Sequence, residues 1–218
     1  MNEVDINLNI HFVRDEPNLR FKSKLMMKII PLCLFILLTV SGISQDKPYF
    51  YQIPEYPGQY SAATVAARMV DGLGFRYYWA TEGLTDQDLR FKPGDSSRTS
   101  LETIEHIFQL TQILNNAVHQ KPTVNDPGAP RMEFSLLREK TLSNLEEASK
   151  LLKKPDASLT SFPMIFKNPN RTTEFPFWNL VNGPIADALW HVGQIVSFRR
   201  SSGNPFPDGV SVLQGTKR

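Results

Sequence analysis

Proline and glycine divide this chain into four stretches with apolar residues at helical spacing, and that segmentation limits what it can fold into. The first opens at Ser61. Ala62, Val65, Ala66, Met69, Val70 and Leu73 recur on one face, and the pattern runs to about Glu82 before Gly83. Gly72 and Gly74 weaken its middle enough for a kink. The second opens on Thr99-Ser100-Leu101-Glu102, a capping box in which the hydroxyl takes one free amide and Glu102 returns to another. It runs to about Gln120. The third covers about Glu133 to Lys153, with Lys153-Lys154 suited to the helix dipole and Pro155 blocking extension. The fourth begins near Phe177 or Trp178 and ends near Ser202, with Gly203 at the C′ position. The expected fold is all-α, a four-helix bundle with long connections between helices one and two and between three and four.

The segments outside the bundle, 61–203, read differently. Residues 45–60 form an extended lead-in, and 204–218 a loose tail. The link 84–98 is polar, and 121–131 holds three prolines. The link 155–176 is more apolar than a surface loop, carrying Phe162, Met164, Ile165, Phe166 and Phe175, and suits a short hairpin or lid over the bundle.

Residues 29–40 are an uncharged apolar run of 12. A bilayer span takes roughly 20 residues, so the run fits the apolar region of a secretory signal peptide instead. Lys24 and Lys28 flank it, and small residues follow at Ser41-Gly42-Ile43-Ser44. The expectation is a signal peptide over 26–44, starting at Met26 or Met27, behind a doubtful extension over 1–25. Export to a periplasm or out of the cell follows, with no membrane attachment after removal. The single cysteine, Cys33, lies in the run, so the remaining chain has no thiol for a disulfide, a zinc ribbon or a nucleophile. Five of the 24 Lys and Arg and four of the 22 Asp and Glu precede residue 45, leaving 19 against 18. A near-neutral chain without a basic stripe is not built for nucleic acid.

Asp187 and His191 stand four apart in the fourth stretch, one turn along the same side of a helix. Leu180, Pro184, Ile195 and Phe198 share that side, so both polar groups are expected on the buried face. His106 lies on the second helix's stripe with Leu110, Ile113 and Ala117. Burying a carboxylate and imidazoles is costly unless they are paired, and two imidazoles with a carboxylate have the composition of a metal site. The plainer alternative is a buried Asp–His hydrogen bond that pins the fourth helix. Gln194 could hold a ligand in place or be an ordinary helix residue. Glu105 is a weak candidate for a general base, most simply exposed, and Glu102 serves the capping box. Trp178 and Trp190 read as core, Arg199-Arg200 as a dipole pair, and His119 as a solvated or dipole-facing residue.

Two segments resemble a known family. Leu89-Arg90-Phe91-Lys92-Pro93 with Arg98-Thr99-Ser100-Leu101-Glu102-Thr103-Ile104-Glu105-His106-Ile107, and Asp187-Ala188-Leu189-Trp190-His191-Val192-Gly193-Gln194-Ile195, look like the loop, second helix and fourth helix of the DinB-like (YfiT-like) four-helix-bundle superfamily of metal-dependent enzymes. The resemblance covers about 61–203. It implies His106, Asp187 and His191 as ligands of one divalent metal, with Asp187 where the family commonly has histidine. Three histidines favour zinc or nickel, and the carboxylate makes the set harder, which admits iron or manganese. Three protein ligands leave positions open, the arrangement of catalytic sites. The implied activity is hydrolysis or group transfer on a small molecule. Some relatives use small thiols, which export makes less fitting because thiol pools are cytoplasmic. A non-catalytic ligand-binding or dimerising bundle, with or without metal, is the competing expectation. A homodimer would use exposed apolar faces.

Overall fold

Each expected helical stretch forms a helix where its start signal sits. In the computed structural model, residues 47–124, 128 and 130–218 are described; the extension, the signal peptide and Cys33 lie outside the described residues. Helix α1 (Ala62–Thr81) starts at Ser61, whose hydroxyl accepts the Thr64 amide while Thr64 Oγ1 accepts the Ser61 N–H. A short helix α2 (Asp86–Arg90) interrupts the polar link, started by the same reciprocal cap between Thr85 and Asp88. Helix α3 (Ser100–Val118) begins at the Thr99–Glu102 capping box read from the sequence. Helix α4 (Phe134–Leu152) follows, then α5 (Phe177–Leu180), a π-helical turn Val181–Ile185, and α6 (Ala186–Ser201). Helices α1 and α3 each pack against both α4 and α6. Between them Leu73, Tyr77, Ile104, Leu114, Leu145, Ile185 and Val192 are buried. Each such aliphatic or aromatic side chain contributes about 1.5–3 kcal/mol by leaving water.

Helix α1 runs unbroken through its glycines, and the space at Gly74 is filled from outside. The lead-in is not simply extended: a 3₁₀ turn at Tyr49–Tyr51 drives Phe50 into the core. A Cβ at Gly74 would stand 2.4 Å from the Phe50 ring.

The fold is mainly helical with a small sheet, not all-α. Strand β1 (Thr123–Val124) runs parallel to β2 (Met164–Asn168), and β2 pairs antiparallel with β3 (Arg171–Phe175). The segments on either side of Pro169-Asn170 are too short for stable helices. Their aromatic and β-branched residues suit a hairpin, the form anticipated for the apolar link. The tail is not loose either. Strands β4 (Val210–Ser211) and β5 (Thr216–Lys217) pair antiparallel. Gly215, at φ 70°, packs against Ile53 and accepts its amide at 2.8 Å.

The C-terminal end of α1 is closed by residues remote in sequence. A helix leaves its last four carbonyls unpaired, and α1 has no basic residue in its last turn. Arg199 of α6, only 2% exposed, donates from Nη1 to the carbonyls of Trp79, Ala80 and Glu82 at 3.1 Å each. Arg138 of α4 donates to the Tyr78 carbonyl at 3.2 Å and pairs with the Glu82 carboxylate at 2.5 Å. Arg199 therefore serves more than the dipole of its own helix. Asn204 joins the cluster, donating to the Gly83 carbonyl and to Asp88 Oδ2. Burial pushes the Asp88 carboxyl up, but hydrogen bonds from Asn204, Ser202 and Thr85 outweigh it and bring its pKa down to about 2.

A second buried charge ties α1 to α4. Asp71 is fully buried; its Oδ1 accepts from Ser149 Oγ at 2.5 Å, and Lys153 Nζ stands 2.7 Å from Oδ2, outside hydrogen-bonding alignment, so charge holds that pair. Lys153 thus answers Asp71 as well as the dipole of α4.

Candidate metal centre

The approach to α6 is set by Pro184. A proline inside a helix has no N–H to give the preceding turn, and its ring clashes with the carbonyl four residues back. Here the chain widens into the π turn that contains it. Leu180, Pro184 and Ile185 are all buried across this turn. Beyond them Ala188, Val192 and Ile195 continue at the usual three-to-four spacing. The π turn thus rotates α6 by one residue against α5 and lets both bury an apolar face.

That phase puts Asp187 and His191 on the flank of the core stripe, not on its centre. They lie about 100° round the helix from Ala188 and Val192, facing α3. His106 comes from α3. His106 Nε2 is 3.3 Å from Asp187 Oδ2, and His191 Nε2 is 3.3 Å from Asp187 Oδ1. The imidazoles meet edge to face with centroids 4.8 Å apart. The ligand atoms of all three lie within 4.8 Å of one another. The expectation of a buried face needs correction. The side chains are 26%, 37% and 13% exposed for His106, Asp187 and His191, so water and small molecules reach them.

Gln194 holds the second imidazole in place. Its Oε1 lies 2.7 Å from His191 Nδ1. An amide oxygen only accepts, so Nδ1 carries the hydrogen and Nε2 presents a lone pair in the neutral ring. That lone pair faces a carboxylate oxygen at 3.3 Å. These two facing acceptor atoms are a pair that a metal ion could join.

Two hollows flank the trio. One is polar, about 440 Å³, with Lys92, Ser97, Arg98, Glu102 and Glu105 beside His106. The other is apolar, about 480 Å³, where Met164, Phe166 and Phe175 of the hairpin and Pro184 of the π turn meet Asn179 beside Asp187. A larger cleft of about 890 Å³ contains none of the three residues, but shares Glu105 and Gln109 with the polar hollow and Ile113 and Phe166 with the apolar one. The cleft thus adjoins both hollows without reaching the trio itself. Glu105 is half-buried, 3.9 Å from Arg131, and lies outside the trio. Glu102 is engaged by Thr99, whose N–H and hydroxyl hold its carboxyl below the usual range. Trp178 and Trp190 are not core: they are 73% and 69% exposed, on the solvent side of α5 and α6. His119 caps α3, its Nδ1 at 2.8 Å from the Asn115 carbonyl, as a dipole-facing residue should. The aromatic wall had one sequence signal, the unusually apolar link 155–176; the polar hollow had none.

No protein-family model, curated protein or solved structure matches this chain.

Proposed function

We propose that this chain is an exported four-helix bundle of the DinB-like kind that binds one divalent metal through His106, Asp187 and His191 and acts as a hydrolase or transferase on a small molecule. The observation that carries it is the face-to-face placement of the His191 Nε2 lone pair and the Asp187 carboxylate, with His106 completing the group. The spacing fits the donor set. Each imidazole stands 3.3 Å from a different oxygen of Asp187, and one ligand atom from each residue lies within 4.8 Å of the others, so a small side-chain adjustment would gather all three around one ion. A direct charge-assisted hydrogen bond draws closer, to about 2.7–2.9 Å.

When bound, such an ion supplies Lewis-acid activation of a water or of a substrate carbonyl or phosphoryl oxygen. Zinc, nickel, iron and manganese all suit two imidazoles and a carboxylate. Asp187 supplies the negative charge that balances part of the ion's. Gln194 fixes the His191 tautomer, so that Nε2 is the ligating atom. The polar hollow mixes Lys92 and Arg98 with Asp95, Glu102 and Glu105, which suits a polar group of mixed charge, while Phe166 and Phe175 exclude water from the opposite side. Glu105 stands between the polar hollow and the larger cleft as the candidate proton acceptor.

Metal analysis of the purified chain, with His191→Ala and Asp187→Asn beside it, tests the reading. The expected result is about one equivalent of a transition metal in the native chain, lost in both variants while helical content stays. A native chain that binds none from metal-supplemented buffer leaves only the hydrogen-bonded cluster.

A further inference from the structure

Helix α6 has a second working face. Leu189, Val196 and Arg200 lie roughly half a rotation from Asp187 about its axis. With Val192 and Gly193 they line a groove of about 770 Å³ against Met69, Gly72 and Arg76 of α1, closed at one end by Phe206 and Val212. The volume falls within the roughly 300–1,000 Å³ of small-molecule sites. Met69 and Val212 are exposed apolar residues there, at 36% and 46%.

Three guanidiniums edge this apolar groove, those of Arg68, Arg76 and Arg200, and no carboxylate lines it. Among the described residues none of the three forms an ion pair. Arg68 donates to the Pro54 carbonyl and lies over the Tyr56 ring; Arg76 donates to the Gly72 carbonyl within its own helix. Both keep donors free. Asp71, the nearest acid in sequence, is turned away to Ser149 and Lys153. Two glycines leave the space open: Gly72 forms part of the floor, and a Cβ added at Gly193 would meet nothing within 4 Å.

We propose that this groove binds a single-chain anionic amphiphile, its alkyl chain against Met69, Val192, Val196 and Phe206 and its carboxylate or phosphate head on the arginines. Guanidinium forks match planar anions in a bidentate way, and an alkyl chain gains about 0.8 kcal/mol per buried methylene. A neutral or cationic chain would gain the burial without the head-group contacts. The groove is on the far side of α6 from the metal ligands, so the inference stands whether or not the metal reading does.

Calorimetric titration of the full chain with dodecanoate, below its micelle concentration, is the test. Acetate and dodecyltrimethylammonium serve as controls for the head and the chain alone. Saturable binding of dodecanoate is expected, with neither control binding comparably. Arg76→Gln combined with Arg200→Gln should weaken it by about tenfold or more, one or two charge-assisted contacts being lost. Gly193→Leu should abolish it by filling the groove, with the melting temperature kept or raised, since leucine favours a helix over glycine by about 1 kcal/mol. If Gly193→Leu fails to fold, the arginine pair alone decides. The proposal is overturned if dodecanoate does not bind, if dodecyltrimethylammonium binds as well, or if the arginine pair leaves affinity unchanged. It also falls if sedimentation shows the native chain to be a dimer that folded Gly193→Leu splits, which would make the groove a contact between copies.

Discussion

Replacing Arg199 by alanine should cost far more than its place near a helix end suggests. Nη1 is shared among two α1 carbonyls and that of the C-cap residue Glu82, while Nε and Nη2 hold the Asn204 carbonyl and side-chain oxygen at 2.9 and 3.0 Å. At 2% exposure no water stands ready to replace the guanidinium. Each buried acceptor left unpaired costs about 1–3 kcal/mol. Three carbonyls would give several kcal/mol if independent, but they share one donor group, and the loosened end of α1 will admit water. A loss of about 3–5 kcal/mol is therefore expected, in line with breaking a buried charged network. For a domain of this size each kcal/mol moves the melting temperature by roughly 2–4 °C, so a fall of about 10 °C or more should follow. Arg199→Lys keeps the charge but reaches fewer of the five oxygens and should recover only part. Thermal and urea unfolding followed by circular dichroism would measure both. A loss under about 1 kcal/mol for Arg199→Ala would refute the claim that this one side chain closes α1.

Other outcomes follow from the same contacts. Asp88 has a folded pKa of about 2, below its unfolded value near 4. Its stabilisation is thus present above about pH 4 and lost as pH falls towards 2. Asp88→Asn should weaken the native chain at neutral pH and flatten its acid unfolding in that window; an unchanged acid limb would contradict this. Lys153→Met leaves the Asp71 carboxylate buried without its cation and should destabilise by about 3–5 kcal/mol, whereas Lys154→Met, at an exposed position, should change stability by less than about 0.5 kcal/mol. Gly74→Ala drives a methyl into the Phe50 ring and should cost about 1–3 kcal/mol in urea unfolding; a neutral result would mean that the lead-in does not hold Phe50 in the core. Gln194→Leu should lower metal affinity by about 10–100-fold in competition with a chelating dye, and unchanged affinity would remove its orienting role.

The helices were legible because their signals are local. The Thr99–Glu102 box, the Gly203 stop and the periodic apolar runs act within a turn or two, and α3 and α4 begin and end within about two residues of their expected limits. The ligand spacing was legible for the same reason, since Asp187 and His191 share one helix. Bulk and apolarity suggest a core place for the two tryptophans, but position along the helix overrides them: Trp190 stands about 200° round α6 from Ala188, away from the buried stripe.

By itself the sequence determined where the main helical stretches lie and that a carboxylate and an imidazole would stand one turn apart, but not the short helix Asp86–Arg90 or the π turn that splits the last stretch. Only the tertiary structure decided that His106 closes on them, that Arg138 and Arg199 finish α1, and that the link 155–176 becomes an aromatic wall. Caps and periodicity are set by neighbours along the chain. Pairings across 80 or more residues, such as His106 with Asp187, depend on how helices rotate against one another, and packing of the whole core fixes that rotation.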